Sequence, residues 1–542
     1  MKLRDLRIQL FLHAALRSLQ EDSQQFTAQV SRRFMPTKMR EKIASIAQHL
    51  PESAIRNTGA ILADRPDLLS TQSNASLQTH ARELWNRGDI DAALATLNPQ
   101  SPLFTRLADE WALIADSTPL ALEPFAIEPP QPQCSHRTSQ LDVLHVLTNS
   151  LPYTQSGYTI RSHRLLSAQQ SAGINLEAVT RIGYPVTIGN LKVPDVSTVD
   201  AVTYRRLLPT SLERMPRART IQHASLLTSL ALELKPTVLH TTTDYRNGLA
   251  TEATAHYLDI PWVYEMRGQL EKSWVARQDP EYRQAAATSK RFFAWQSTET
   301  RLAQSADAVV VLSEIQRDEL IARGVDSEKI KIMPNAFDWP EGVERISRVE
   351  ARGLLGLPEA DVWIGSISAL VDYEGFDTLI RAISILRSRG INAKAAIVGD
   401  GVARPKLQAL VRELDLHDHV FMPGRVSVND SHTWYQALDL FAVPRKDTPV
   451  CRIITPIKPL EALACGTPVL VSDLPALQLA PSHGAGLAIE AERPEKWANA
   501  ISTSMPSSST YTKMAEAAGI LASMQSWRSN ALTSTTMYEE IS

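Results

Sequence analysis

The run Lys458-Pro459-Leu460-Glu461-Ala462-Leu463-Ala464-Cys465-Gly466 reads as an amphipathic helix with one carboxylate near its start and a glycine at its end. A strand, Pro468-Val469-Leu470-Val471, and an acidic turn at Asp473 follow. The loop ahead of it is rich in cations, with Arg445, Lys446 and Arg452 leading to Lys458. The N–H groups and positive dipole end of a helix stabilise phosphate. A carboxylate in the first turn can accept hydrogen bonds from hydroxyls. Residue types and order therefore suit a sugar diphosphate, with Arg452 and Lys458 the first choices for phosphate and Glu461 for sugar hydroxyls.

Such a site needs a frame, and the chain from Leu141 onward supplies one. Short apolar runs alternate with helical stretches: Val143–Leu147, Leu176–Thr180, Val238–His240, Trp262–Glu265 and Ala308–Leu312. A second series follows at Trp363–Ile367, Ala395–Val398, Val420–Met422, Leu440–Val443 and Val469–Val471. Alternation of this length predicts parallel, doubly wound sheets with helices on both faces. A turn-rich segment, Pro334-Asn335-Ala336-Phe337-Asp338-Trp339-Pro340, separates the two series. In such sheets ligands sit beyond the carboxyl ends of the strands, so the motifs just after strands are the informative ones.

Residues 1–117 read as all-helical. Around Arg87-Gly88-Asp89 the Ala/Leu spacing, with Ala81, Leu84, Ala92 and Ala93, is similar to one hairpin of a tetratricopeptide-type helical repeat. A linker at 118–139 carries Pro119, Pro124, Pro129, Pro130 and Pro132, a composition that marks a domain boundary. The first residues, Leu3–Leu19, alternate Arg4, Arg7 and Arg17 with Leu6, Leu10, Phe11 and Leu19. That pattern suits either a helix packed on the protein's own body or one lying on an anionic membrane.

The bulk numbers set bounds. The chain has 542 residues, 44% hydrophobic and 21% charged, enough for two or three globular domains. A formal net charge of -3 gives no electrostatic reason to expect nucleic acid as a partner. The three cysteines, Cys134, Cys451 and Cys465, fit a reducing cytoplasm better than a disulfide scaffold, and their spacing makes no zinc site. No apolar run reaches the ~18 residues of a spanning helix.

Several motifs follow candidate strands. Gly157, within Pro152-Tyr153-Thr154-Gln155-Ser156-Gly157-Tyr158-Thr159-Ile160-Arg161, precedes a helix, where glycine lets the backbone approach an anion, with Ser156, Arg161 and Arg164 as added donors. His240 ends its strand ahead of Thr241-Thr242-Thr243-Asp244 and has both a structural and a catalytic reading. Tyr264-Glu265-Met266-Arg267-Gly268 allows an internal ion pair or a phosphate contact by the Arg267 guanidinium. Downstream come Asp372-Tyr373-Glu374-Gly375, then Val398-Gly399-Asp400-Gly401, then Phe421-Met422-Pro423-Gly424-Arg425.

In this order and spacing, the set resembles family 4 of the retaining glycosyltransferases over about residues 140–510. The Pro-Tyr…Ser-Gly-Tyr-Thr…Arg, Tyr-Glu-x-Arg-Gly and Tyr-Glu-Gly runs are similar to a bacterial exopolysaccharide, exosortase-associated branch. The resemblance implies an α/β GT-B fold, two facing Rossmann-like domains with doubly wound parallel sheets, preceded by an all-helical extension. It implies an acceptor-side domain at 140–335, a donor domain at 336–510, and last helices, 511–542, crossing back to the first domain. The Pro334-Asn335-Ala336 run would be the hinge that closes the cleft.

The implied site binds the nucleotide sugar through Gly157, Gly399, Gly401, Arg425, Arg445, Arg452, Lys458 and Glu461. Arg267, His240 and Glu461 are the implied catalytic residues. No metal and no bound cofactor are implied, the nucleotide sugar being a co-substrate. Five features depart from the family pattern: Thr242 for a second histidine, Ala336 for glycine, Glu374 for lysine together with no arginine after Gly365, and Ile453 for the first of two glutamates.

The expected reaction moves a hexose from a UDP- or GDP-sugar to a hydroxyl of a glycan or lipid-linked glycan in cell-surface polysaccharide synthesis. The expected place is the cytoplasm, with peripheral contact to the inner face of the cell membrane as an option. Two alternatives stand beside it: a non-catalytic GT-B scaffold holding a partner through the helical extension, and a sugar-nucleotide epimerase.

Overall fold

The structure is a computed structural model and describes residues 7, 10, 37–49, 58, 61–62, 74–116, 118–122, 141–339, 344–359 and 361–542. Apart from Arg7 and Leu10, the Leu3–Leu19 pattern lies outside the described residues, as do Pro124, Pro129, Pro130, Pro132, Cys134 and Pro340.

Two sheets carry the α/β part. The first is built from β1 (Asp142–Leu147), β2 (Asn175–Thr180), β3 (Val196–Val199), β4 (Val202–Arg206), β5 (Val238–Thr242), β6 (Trp262–Met266), β7 (Ala308–Val311) and β8 (Ile330–Ile332). Its order is β3-β4-β2-β1-β5-β6-β7-β8. The second is built from β9 (Val362–Ile367), β10 (Ala393–Val398), β11 (Val420–Gly424), β12 (Leu440–Val443), β13 (Val469–Ser472) and β14 (Gly486–Ile489), in the order β11-β10-β9-β12-β13-β14. Registers such as His145 opposite His240 and Phe441 opposite Val469 are parallel. Central strands such as β5, β6, β12 and β13 are buried along their whole length. Helices on both faces remove any need for polar alternation, so β12 and β13 read as near-continuous apolar runs, while β5 and β6 bury His240, Thr241, Thr242 and Glu265 among apolar neighbours.

All ten sequence-predicted strands are present, and four more are added. The pair β3 and β4 forms an antiparallel hairpin whose turn, Asp200-Ala201, has positive φ at both residues. Its signal is the alternation Val202-Thr203-Tyr204-Arg205-Arg206, buried at every other position. The short strands β8 and β14, Ile-Lys-Ile and Gly-Leu-Ala-Ile, carry too little apolar length to stand out. The strand order reverses between β1 and β5 in the first sheet and between β9 and β12 in the second. Each reversal opens a crevice at the carboxyl ends, where such folds take ligands.

The chain divides into two compact units: Met1–Thr154 with Ile174–Val309 and Tyr538–Ser542, and Gln155–Gly173 with Val310–Met537. The helix Gly157–Ser171 thus belongs to the second unit, although it follows the first strand in sequence.

In the first unit the helical extension is fastened to the α/β body. The helices Asn74–Arg87 and Ile90–Ala95 form the expected hairpin, joined at Gly88. Gly88 has φ +91°, and a Cβ there would lie 2.6 Å from Ser289 Oγ and 2.8 Å from the Trp274 ring. Arg291 lies over Trp85, Trp274 and Trp295 at 4.9, 5.7 and 4.6 Å from the ring centroids and donates to the Trp85 carbonyl. Such a contact adds about 0.5–1 kcal/mol at an exposed site and about 2 kcal/mol when desolvated, as for the buried Arg291. Trp274 Nε1 donates to the Asn86 carbonyl at 2.9 Å, and Thr298 Oγ1 to that of Ile114 at 2.7 Å. A further extension helix, Pro102–Ala115, begins with Ser101 as N-cap and Pro102 in its first turn. It packs on the helices Pro216–Leu234 and Lys290–Ser305.

Candidate active site

In the second unit, Lys458 and Glu461 do lie in the first turn of a helix, Lys458–Ala464, with Pro459 at its start. Lys458 Nζ donates to Ser368 Oγ at 2.7 Å, across to the loop that follows β9. Burial lowers the Lys458 pKa; the carboxylates of Glu374 and Glu461 work the other way. Glu461 Oε2 accepts from the Tyr435 hydroxyl. Burial raises the Glu461 pKa, while the Tyr435 hydrogen bond and the charges of Arg164 and Lys458 pull it back. A carboxylate has about four acceptor positions, so Glu461 retains capacity for hydroxyls beyond Tyr435.

Arg164 comes from the helix Gly157–Ser171, which brings the Gly157 segment and Glu461 into one neighbourhood. Arg164 Nη1 donates to the Asp338 carbonyl at 3.1 Å, and its guanidinium stacks 5.3 Å from the Phe337 ring centroid. Arg161 has a different task. It is buried and donates to the carbonyls of Met333 at 2.8 Å and Pro334 at 3.0 Å and to Asn335 Oδ1 at 3.0 Å. The expected ligand donor is thus a clamp on the Pro334-Asn335-Ala336 turn.

Arg445, expected at phosphate, is largely committed elsewhere. Its Nη2 and Nε reach Glu374 Oε1 and Oε2 at 2.9 and 3.4 Å, and its Nη1 donates to the Ile454 carbonyl at 2.9 Å. Burial opposes the charge on both partners, but the pairing wins: the Arg445 pKa rises and the Glu374 pKa falls. The Glu374 departure is therefore a compensated buried charge. Arg452 is exposed and forms a two-pronged ion pair with Asp447.

In the first unit, His240 is fully buried. It shares a hydrogen bond between Nδ1 and the Tyr538 hydroxyl, stacks on His145 at 4.6 Å, and lies 3.7 Å from Glu265 through Nε2. Arg267, also buried, donates to Glu265. Of the two readings of the Tyr-Glu-x-Arg-Gly run, the geometry favours the internal ion pair, with His240 in the same buried cluster.

Residues 156–336 match the family model described as "Glycosyl transferase 4-like domain", and residues 348–519 match "Glycosyl transferases group 1". The chain carries both domains of a GT-B glycosyltransferase. A D-inositol 3-phosphate glycosyltransferase of Kineococcus radiotolerans is 29% identical over 44% of this chain and 58% of its own length. One of Rhodococcus erythropolis is 31% identical over 34% of this chain and 42% of its own length. The chain thus spans about half the length of these relatives. Sucrose-phosphate synthase from Thermosynechococcus elongatus shares the fold with TM-score 0.61 at 18% identity, over 74% of this chain and 99% of that one. Anabaena HepE in complex with UDP does so with TM-score 0.56 at 16% identity, over 74% and 100%.

Of the remaining expected residues, Gly399 and Gly401 follow β10 and Arg425 follows β11 of the second sheet. Gly399 has φ +142°, and a Cβ on it would stand 1.8 Å from the Ser368 carbonyl oxygen. A Cβ on Gly401 would stand 2.3 Å from that of Leu370. Both glycines therefore let the β10 loop close on the β9 loop that holds Ser368, and act on the site through backbone packing. Arg425, just after β11, is exposed; Phe421 on that strand stacks on Trp434 at 6.0 Å. Gly157 has open space around the position of a Cβ. Sequence reasoning did not single out Ser368 or Tyr435. Tyr435 carries no readable signal, because only the packing of one helix on another brings it to Glu461 from 26 residues away.

Proposed function

We propose that this protein is a retaining hexosyltransferase. It takes a nucleotide sugar, UDP- before GDP-linked, and transfers the hexose to a hydroxyl of a glycan or lipid-linked glycan in cell-surface polysaccharide synthesis. The observation that carries the reading is the cluster of Lys458, Glu461 and Arg164, two cations beside one carboxylate at the start of the helix Lys458–Ala464. Structures of HepE with UDP and with UDP-glucose support the choice of donor base. The described residues contain no helix long and apolar enough to cross a membrane.

In this mechanism negative charge grows on the nucleoside diphosphate as the glycosidic bond lengthens. Lys458 and Arg164 stabilise that charge, and Glu461 holds sugar hydroxyls. Fixed charges of this kind lower a barrier because they need no reorganisation during the reaction. The leaving phosphate oxygen takes the acceptor proton on the same face, so no protein nucleophile is required. His240, Glu265 and Arg267 shape the acceptor-side domain from inside. Gly399 and Gly401 set the loop that carries Ser368, and Arg425 stands at the base end of the donor.

The test is binding and slow hydrolysis of a panel of UDP- and GDP-sugars by the full chain. One donor is expected to turn over selectively. Glu461→Ala and Lys458→Ala are expected to reduce that turnover about a hundredfold. An isomerised nucleotide sugar would select the epimerase reading, and no binding at millimolar donor would select the scaffold.

A further inference from the structure

The first unit contains a cavity of about 370 Å³, a volume in the range of small-molecule sites. Thr148, just after β1, and Asp244 and Asn247, just after β5, line it where the strand order of the first sheet reverses. Another wall is Arg106 and Glu110, from the extension helix Pro102–Ala115. That wall is held in place: the Arg217 backbone N–H donates to Asp109 at 2.8 Å, and Arg217 Nη1 donates to Asp116 at 3.0 Å.

The lining is strongly cationic. Arg106, Arg181, Arg214, Arg219 and Arg246 face two carboxylates, Glu110 and Asp244, a surplus of three positive charges. Both carboxylates lie near Arg246, at 3.8 and 3.5 Å. Two buried polar atoms in the lining, His223 Nε2 and Thr187 Oγ1, have no hydrogen-bond partner. Buried polar atoms without partners are uncommon, and two in the wall of one cavity suit a ligand rich in oxygen. Burial, reinforced by Arg181, pushes the His223 pKa down to about 4, so this imidazole is neutral near pH 7. Guanidinium forks match the oxygens of phosphate and carboxylate.

We propose that this cavity binds the anionic group, phosphate or carboxylate, of a sugar acceptor, and that the helical extension forms part of the acceptor site. The word acceptor rests on the transferase reading above; the anion site does not. Calorimetric titration of the full chain with glucose 1-phosphate, glucuronate and glucose tests it, with donor hydrolysis followed separately. At least one of the two charged sugars is expected to bind and glucose not, and the tighter of the two distinguishes phosphate from carboxylate. Arg106→Gln and Arg214→Gln are each expected to weaken that binding about tenfold, with unchanged melting temperature and unchanged donor hydrolysis. Glucose binding as tightly as the charged sugars, or affinities unchanged in both variants, overturns the proposal. Loss of donor hydrolysis in the intact protein, with anion binding retained, overturns the transferase reading instead.

Discussion

Glu374→Gln removes the carboxylate that Arg445 grips with two nitrogens at 2.9 and 3.4 Å. It also removes the negative charge that supports Lys458. Glu374 and Arg445 are only 8% exposed, so solvent does little to replace the lost charge. Removing one partner of a buried ion pair costs about 3–5 kcal/mol, because the other charge stays behind. A unit of roughly 250 residues loses about 2–4 °C of melting temperature per kcal/mol. The expected shift is therefore roughly 6–20 °C in a calorimetric or fluorescence melt.

The pH dependence has a defined sign. The folded Glu374 pKa is lowered from 4.5, so its contribution is present above that value and is lost as pH falls through the folded pKa. The variant should lack this acid-side loss. A diphosphate brings negative charge to the same cations, so UDP should stabilise the variant more than the parent. A melting shift under ~3 °C, or an unchanged acid limb, would refute the account of Glu374 as a compensating buried charge.

Gly88→Ala forces a Cβ into the Ser289 and Trp274 side chains at positive φ; a loss of about 1–3 kcal/mol is expected, read as earlier proteolysis of the extension. Burial raises the Glu299 pKa from 4.5 to about 8, with the Tyr264 hydroxyl donating to it. The folded chain therefore keeps a proton that the unfolded chain releases, and stability should fall as pH rises from 4.5 to 8. Glu299→Gln should flatten that slope in melts taken across the window. Glu461→Ala and Lys458→Ala, at the donor, and Arg106→Gln and Arg214→Gln, at the cavity, should separate donor turnover from anion binding.

The sequence by itself determined the two doubly wound sheets. Strands buried on both faces are mostly apolar, and ten of the fourteen carried an apolar run long enough to read. It also determined that Lys458 and Glu461 share the first turn of a helix, because helical spacing is local. The Gly88 hairpin was legible for the same reason. Tertiary structure decided which charges are available to a ligand. Arg161, Arg267, Arg445 and Arg452 all read as donors in the chain. Each is held by a carbonyl or carboxylate that folding brings beside it. Arg445 and Glu374 are 71 residues apart, Arg161 and Met333 172, and no local pattern encodes such a meeting. The cavity walled by Arg106 and Arg219 is likewise a product of packing, because its lining comes from separate helices and strand ends. Elements follow from short-range periodicity, and so do the near pairs Arg267 with Glu265 and Arg452 with Asp447, whereas the commitment of Arg161 and Arg445 depends on partners distant in the chain.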